Sequence, residues 1–293
     1  MKSGFVSLIG RPNAGKSTII NAIMHQKIAI VSPKPQTTTD AIRAIYTEER
    51  GQIVFVDTPG IHKPHVHYGD ILNKTAYKTI RSSDVSVLIV DASAAYGGGD
   101  DYLVEHLKFD HPLIIVLNKI DLASPVMVEE LKQKYRSIYL DVPIIETSAV
   151  RNFNIEELID RIFELLEEGP YFYDPSTTST SDLNFIISEA IREKAINLTH
   201  QEVPHSIAVV VTKINETTRG YEAYCELIVE KDSQKGILIG AGAKMIKRIR
   251  LQSQYDLQRM LKKEVLLEIL VKVEENWRDN PKALAKLGLE RKG

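Results

Sequence analysis

Eight consecutive residues near the N-terminus combine the glycines, the lysine and the hydroxyl group that phosphate binding requires. They read GRPNAGKS and match the G-x-x-x-x-G-K-[ST] pattern. Glycines let backbone N–H groups curl around phosphates, and the N-terminus of a following helix adds positive potential. We expect Lys16 to reach the β- and γ-phosphates of a nucleotide and Ser17 to ligate Mg²⁺. The predicted nucleotide-binding residues of this loop are Gly10, Arg11, Pro12, Asn13, Ala14, Gly15, Lys16, Ser17 and Thr18.

A second group of residues predicts that the base is guanine rather than adenine. NKID at 118–121 supplies a carboxylate, Asp121, that can accept from guanine N1–H and the exocyclic amino group. Adenine has neither donor at those places, and a buried carboxylate left unpaired is costly. We expect Asn118 to bridge the base and the phosphate loop and the stem of Lys119 to cover the ring. In TSA at 147–149, Ser148 and Ala149 complete the predicted contacts, with the Ala149 N–H meeting guanine O6.

Two further segments predict contacts that only GTP provides. DTPG at 57–60 follows an apolar run, and we expect Asp57 to hold Mg²⁺ through water and the Gly60 N–H to contact the γ-phosphate. Thr58 and Pro59 belong to the same predicted nucleotide site. In TTT at 37–39, Thr38 is expected to join Mg²⁺ to the γ-phosphate. Because these contacts depend on GTP rather than GDP, both segments are predicted switches. The predicted metal ligands are Ser17, Thr38 and Asp57.

The position that carries a water-orienting Gln in many GTPases is apolar here. Ile61 follows the DTPG turn and cannot polarise water, so either hydrolysis is slow or the charge comes from elsewhere. The side-chain oxygen of Asn13 could hold a monovalent cation beside the β- and γ-phosphates, where it would act as an arginine finger does. We therefore hypothesise K⁺ stimulation. The predicted catalytic residues are Lys16, Thr38, Gly60 and Asn13.

Alternating apolar runs and longer mixed segments predict the elements that position these motifs. The runs are rich in Val and Ile throughout, which is typical of parallel strands covered on both faces, and the segments between them suit crossover helices. Residues 1–170 are therefore predicted to form a doubly wound, mostly parallel α/β domain of the P-loop NTPase type. Ala41–Tyr46 could add an antiparallel edge strand, and 97–101 (GGGDD) predicts a flexible loop. The predicted strands are Phe5–Ile9, Ile53–Val56, Val85–Val90, Leu113–Leu117 and Ile144–Ile145.

A change in composition after residue 170 predicts a linker and a second domain. The segment 169–181, GPYFYDPSTTSTS, carries two prolines and a Ser/Thr tract, so 171–181 is the predicted linker. We expect Tyr171–Tyr173 to pin it to a domain surface. In 182–293 a helix and two strands precede a glycine-broken segment, a long helix and a final strand. This α-β-β-α-α-β order predicts a smaller α+β domain.

The composition limits the class of protein and its partners. The chain has 293 residues and one cysteine, Cys225, which cannot form an internal disulfide. No apolar run reaches about 18 residues, so we expect no membrane span and a cytoplasmic location. The formal charge of −2 is unevenly spread, because 231–263 holds nine basic and two acidic residues, which is +7 and leaves −9 elsewhere. A basic patch on an acidic protein predicts a polyanionic partner.

Taken together, these motifs resemble the Era family of bacterial GTPases. Its members belong to the TrmE–Era group and carry a C-terminal type II KH domain. The first half contributes GRPNAGKST, PQTT at 35–38, DTPGIHKP at 57–64, NKID and TSA. The second half contributes IREK at 191–194, VPHS at 203–206, EKDSQK at 230–235 and NWR at 276–278, which narrow the resemblance to this family. It covers essentially the whole chain.

The resemblance implies a function that the motifs alone do not give. It implies an enzyme that hydrolyses GTP, binds the 3′ end of 16S ribosomal RNA and the small (30S) ribosomal subunit, and assists maturation of that subunit. The GTP state would control RNA and ribosome binding. It further implies a cytoplasmic protein that is partly associated with the inner face of the membrane. We expect a monomer that uses GTP or GDP, Mg²⁺ and, by hypothesis, K⁺.

The resemblance also implies a G-x-x-G loop that clamps the RNA backbone between two helices. Residues 240–243 read GAGA, so Ala243 replaces the last glycine and Ala241 stands where a basic residue is common. Because alanine adds a Cβ where the chain needs an unusual φ or a close approach, we expect weaker RNA binding or contacts shifted onto basic residues that follow. The predicted RNA-binding residues are Lys235, Gly240, Ala241, Gly242, Ala243, Lys244, Lys247 and Arg248.

Two other functions compete with this interpretation. GTP could be a structural ligand of an RNA-binding module whose hydrolysis is incidental, which Ile61 favours. The basic helix could instead bind anionic lipid at a membrane surface. Four apolar residues could form a platform for bases or could be plain core, namely Ile237, Leu238, Ile239 and Ile246.

Overall fold

The computed structural model describes residues 1–29, 42–64, 66–200 and 203–287. Within these ranges the chain divides into two compact units. The first contains 1–29, 42–64 and 69–180, and the second contains 66–68, 181–200 and 203–287. The boundaries expected from the sequence, 1–170, 171–181 and 182–293, stay a prediction.

The described part of the first unit contains a six-stranded, mostly parallel sheet, as the sequence predicted. Its strands are β1 (Lys2–Gly10), β2 (Ile42–Glu48), β3 (Gly51–Asp57), β4 (Val85–Asp91), β5 (Leu113–Asn118) and β6 (Ile144–Glu146). The order is β2-β3-β1-β4-β5-β6. Only the pairing of β2 with β3 is antiparallel in this described sheet, which confirms the predicted edge strand.

Helices cover both faces of this sheet, so its inner strands are almost entirely buried. The helices are α1 (Lys16–Ile23), α2 (His67–Arg81), α3 (Gly98–His106), α4 (Pro125–Ile138) and α5 (Ile155–Leu165). Leu8 packs in one apolar cluster with α1 and α5, whereas the next residue, Ile9, packs in another with α2, α3 and α4. Successive side chains of a strand point to opposite faces, which is why the sequence shows continuous apolar runs.

The carboxyl ends of the central strands bring the predicted chemistry to one edge of the sheet. β1 ends at Gly10, β3 at Asp57 and β5 at Asn118. Parallel pairing places Leu8 beside Asp57 and Asp91 beside Asn118. Ligands of open α/β sheets bind outside this edge, where the strand order reverses.

The segment predicted to be a linker is fixed along the edge of this sheet. Thr178 O accepts from Ile45 N at 3.0 Å, and Ala44 and Ser179 form an antiparallel bridge. The amide of Gln52, which is fully buried, accepts from the N–H groups of Phe172 and Tyr173 at 2.9 and 3.0 Å. The Phe172 ring also contacts the Phe5 ring. The three aromatic residues thus begin a segment that adds to the edge strand.

The prediction of a flexible loop at 97–101 is wrong. Helix α3 begins at Gly98, and Asp100 is only 4% exposed. Its carboxylate accepts from Gly97 N at 3.0 Å and so closes the first helical turn. Glycine and aspartate are common both in mobile loops and at helix starts, so composition alone could not separate the two.

The second unit has the predicted α-β-β-α-α-β order. Its described sheet has three strands, in the order β7-β8-β9, with β8 antiparallel to β7 and parallel to β9. Its core combines α6, α7 and α8 with one sheet face. None of the helices in the described ranges is both long and apolar enough to cross a membrane. The elements are α6 (Leu183–Leu198), β7 (Ala208–Glu216), β8 (Gly220–Val229), α7 (Asp232–Ile239), α8 (Lys244–Leu261), β9 (Glu264–Val273) and α9 (Pro281–Lys286).

We expect Gln52→Ala to detach the segment after Pro170 from the sheet. The change leaves two backbone N–H groups without their acceptor, so the free energy of unfolding of the first unit should fall by about 2 kcal/mol. Urea denaturation measures that loss, and amide exchange should accelerate at Phe172 and Tyr173. Gln133→Ala is the control, because Gln133 bonds only across an exposed helix face to Glu129. Unchanged exchange at both amides would refute the role of Gln52.

Candidate nucleotide site and nucleic-acid interface

The phosphate loop lies between β1 and α1, as its motif requires. Gly15 stands just before the helix with a φ of 101°, in the left-handed region. Lys16 is 6% exposed, and its Nζ donates to the carbonyls of Gly10 at 3.3 Å and Arg11 at 3.1 Å. Burial lowers the pKa of Lys16 to about 8, although the nearby Asp57 charge offsets part of this. A bound polyphosphate would raise this pKa again, because a nearby opposite charge favours the protonated lysine.

Two of the predicted metal ligands are joined by a direct hydrogen bond. Ser17 Oγ donates to Asp57 Oδ2 at 2.7 Å, and both side chains are buried. A hydroxyl and a carboxylate are hard oxygen donors, the type that Mg²⁺ selects. The donor set therefore fits magnesium. The third predicted ligand, Thr38, lies outside the described residues.

The residues predicted to read guanine form one hydrogen-bonded group. Ser148 Oγ donates to Asp121 Oδ1 at 2.6 Å, which fixes the carboxylate. Asn118 Nδ2 donates to Ala14 O at 3.0 Å, and Asn118 Oδ1 accepts from the Ala149 N–H at 3.2 Å. Asn118 thus ties the base-reading loops to the phosphate loop across 104 positions of sequence.

Sequence reasoning missed the carboxylate that holds Lys119. Asp91, the last residue of β4, pairs with Lys119 Nζ at 2.5 Å and lies beside Asn118 in the sheet. This fixes the stem of Lys119 next to the predicted base pocket. An acidic residue at the carboxyl end of a parallel strand is a sequence signal for a site residue, because ligands of α/β sheets bind at that edge.

The DTPG turn is held against the end of β1 and against the phosphate loop. Thr58 Oγ1 donates to Leu8 O at 2.7 Å. A Cβ added to Gly60 would lie 2.7 Å from Pro12 Cα, so only glycine allows this approach. The side chain of Ile61 is fully buried in the apolar cluster around α2, α3 and α4. Ile61 is therefore a core residue that points away from the nucleotide site.

The predicted RNA clamp loop joins α7 to α8 in the second unit. Residues 241–243 are exposed. Gly240, Gly242 and Ala243 have φ values of 70°, 57° and 57°. Ala243 thus occupies the left-handed region that strongly favours glycine, as the missing glycine suggested.

The basic residues after the loop lie on the outer face of α8. Lys244, Lys247 and Arg248 are exposed, whereas Ile249 is fully buried in the core, and Lys235 on α7 is half-buried. The apolar residues next to the loop differ in how deeply they are buried. Leu238 is core, Ile239 and Ile246 pack against that core, and Ile237 is 45% exposed.

Comparison with known proteins places both units in described families. A model of the 50S ribosome-binding GTPase family matches residues 5–119. A model of the KH domain matches residues 202–278.

Curated relatives match along almost the whole chain. It is 43% identical over 290 residues to GTPase Era of Crocosphaera subtropica, covering 98% of this chain and 92% of that one. It is 42% identical over 294 aligned residues to GTPase Era of Leuconostoc citreum, covering 98% and 96%.

Solved structures also match this chain over almost its whole length. The fold resembles an Aquifex aeolicus Era variant bound to GDP and AlF₄⁻, with a TM-score of 0.93, 30% identity and 99% coverage of both chains. It also resembles Era in complex with MgGDPNP and nucleotides 1506–1542 of 16S ribosomal RNA, with a TM-score of 0.94, 31% identity and the same coverage.

We expect Ala243→Gly to stabilise the second unit. Glycine removes the cost of a left-handed alanine, so the free energy of unfolding should rise by about 1 kcal/mol. Fluorescence of the single tryptophan, Trp277, which is buried in this unit, reports the urea transition. The matched control is Ala241→Gly, because Ala241 has no positive φ. That variant should gain nothing, and equal effects of the two changes would contradict the strain at Ala243.

Proposed function

The chain belongs to the Era family of GTPases, and we propose that it binds the 3′ end of 16S ribosomal RNA and the small ribosomal subunit. In this proposal it assists maturation of that subunit, and its GTP state controls the binding. The main support is the likeness, over 99% of both chains, to the Era that was solved with MgGDPNP and the 16S fragment. The exposed glycine loop and its basic flank add chemical support.

For the nucleotide, we propose GTP or GDP with Mg²⁺. The supporting geometry is the buried Lys16 beside the paired Ser17 and Asp57, together with Asp121 held ready by Ser148. Ser17 and Asp57, with Thr38, would hold Mg²⁺, whose charge neutralises phosphate oxygens. The proposed nucleotide contacts are residues 10–18, 57–60, 118, 119, 121, 148 and 149.

Hydrolysis is proposed to proceed without a catalytic glutamine. Lys16 would stabilise the charge that develops on the β- and γ-phosphate oxygens, and the Gly60 N–H would donate to the γ-phosphate. Ile61 is fully buried and takes no part. Asn13 lies at the tip of the loop with a φ of 65°, where its oxygen would hold K⁺ beside the phosphates.

RNA binding is proposed for the loop at 240–243 and its basic flank. Exposed backbone at 241–243 would approach the sugar–phosphate chain, and Lys244, Lys247, Arg248 and Lys235 would neutralise phosphates. We propose a monomer that works in the cytoplasm, with a fraction at the inner face of the membrane.

We expect wild-type protein to hydrolyse GTP roughly tenfold faster in K⁺ than in Na⁺ buffer, because a correctly sized cation stabilises the transition-state charge. Asn13→Ala should remove the difference while GDP binding persists. Steady-state phosphate release in matched chloride salts measures both. Equal wild-type rates in the two salts would refute the K⁺ role. A rate that stays low after adding small subunits would favour GTP as a structural ligand.

We expect Lys244→Ala/Lys247→Ala to weaken binding of the GTP-bound protein to a 3′-terminal 16S fragment by about tenfold, with a salt slope that falls by about two. Lys262→Ala/Lys263→Ala is the control, because it removes the same charge from the other end of α8, about 25 Å away. Fluorescence anisotropy at several salt concentrations measures both. Equal losses would indicate non-specific attraction.

Crosslinking of the GTP-bound protein to cellular RNA tests the identity of the target. Crosslinks should concentrate at the 16S 3′ end. If they avoid that region, the proposed RNA target is wrong, but the assignment as a GTPase is unaffected. Flotation with anionic vesicles, with and without the 16S fragment, separates RNA binding from a membrane-surface role.

A further inference from the structure

The side chain of Arg11 leaves the phosphate loop and pairs with a residue of α3. Its Nη1 lies 2.9 Å from Asp100 Oδ2. The backbone of Arg11 belongs to the loop, and its carbonyl accepts from Lys16 Nζ at 3.1 Å. This ion pair therefore connects the loop to α3 across 89 positions of sequence.

Asp100 is firmly placed to act as the anchor. Its side chain is 6% exposed, against 40% for Arg11. Besides Arg11, its carboxylate accepts from Gly97 N at 3.0 Å and from the Tyr135 hydroxyl at 3.3 Å. Tyr135, which belongs to α4, is itself only 1% exposed in the core. The anchor is thus fixed from two elements, and Arg11 is the partner that can move.

The first turn of α3 is shaped around the guanidinium group. A Cβ added to Gly99 would lie 2.7 Å from Arg11 Nε and 3.0 Å from its Cζ. A Cβ added to Gly98, one position earlier, would meet nothing within 4 Å. Neither glycine has a φ in the left-handed region. The glycine at position 99 therefore leaves room for Arg11.

The two limbs of the phosphate loop have different supports. The limb that enters α1 is held at Ala14 by Asn118, independently of α3. The other limb contains Arg11 and Pro12, and Gly60 packs directly against Pro12. Gly60 is the residue proposed to contact the γ-phosphate, so the Arg11 side faces the part of the nucleotide that distinguishes GTP from GDP.

We propose that Asp100 is a positioning residue for GTP hydrolysis, which acts through Arg11 to orient the outer limb of the phosphate loop against Gly60. Without this tether, Pro12 and Asn13 lose the position that the γ-phosphate requires. The α- and β-phosphates keep their contacts on the other limb. The inference rests on the proposed function of the site through the γ-phosphate contact of Gly60.

Gly99→Ala tests the tether without touching any charged group. The new methyl displaces the guanidinium group, which is the flexible end of a side chain, so the fold should survive. We expect kcat for GTP to fall about tenfold, since small misplacements of reacting groups are costly. GDP affinity should change less than about threefold, because a partly exposed ion pair contributes little by itself. Gly98→Ala is the matched control and should keep the wild-type kcat.

A double variant separates displacement of Arg11 from a general disturbance. In Arg11→Ala/Gly99→Ala the added methyl has nothing to displace, so kcat should equal that of Arg11→Ala alone. Asp100→Asn should lower kcat in the same way. If Gly99→Ala keeps the wild-type kcat, or if its loss multiplies with that of Arg11→Ala, the tether is refuted.

The salt comparison distinguishes this failure from failure of the proposed mechanism. If the wild-type rate is equal in K⁺ and Na⁺ but Gly99→Ala still lowers kcat, the cation role of Asn13 fails and the tether stands. If wild-type protein shows K⁺ stimulation and Gly99→Ala keeps the wild-type kcat, the tether fails and the cation role of Asn13 stands.

Discussion

The nucleotide site depends on keeping the ammonium group of Lys16 buried at the mouth of a curled loop. Its nearest partners are two backbone carbonyls, and burial pulls its pKa down to about 8 in spite of the nearby Asp57 charge. Burying such a group is costly without a nearby anion, so contacts from neighbouring elements help to hold the loop in shape. Asn118 holds one limb at Ala14, and Gly60 closes on Pro12.

Those supports come from the carboxyl ends of different strands. β3 delivers Asp57 and the turn to Gly60, β5 delivers Asn118, and β4 delivers Asp91, which fixes Lys119. In the proposed binding mode, phosphate, magnesium and base would therefore be read by separate loops that share one sheet. The same arrangement would make the turn after Asp57 sensitive to the γ-phosphate, because Gly60 packs against Pro12 of the phosphate loop.

The second unit contains a loop whose backbone is strained at one residue. Ala243 keeps the left-handed backbone that ends α7 and starts α8, although its Cβ makes that conformation unfavourable. The conformation survives because Leu238 and Ile249, on either side, are locked into the core. The loop shape that a clamp needs is therefore preserved without its last glycine. The strain lowers stability instead.

The sequence by itself determined the strands of the first unit and the motifs of its nucleotide site, because both depend on short-range spacing. Continuous apolar runs identified the strands, and GRPNAGKS, NKID and DTPG identified the guanine nucleotide site. What only the tertiary structure decided were the contacts that hold these motifs in place, such as Asp91 with Lys119 and Asp100 with Arg11, which are 28 and 89 positions apart. A sequence contains many charged and polar residues, and spacing does not reveal which of them the folded sheet brings together. Spacing likewise showed that Ile61 stands where many GTPases carry a Gln, but only the packing shows that its side chain is buried in the core.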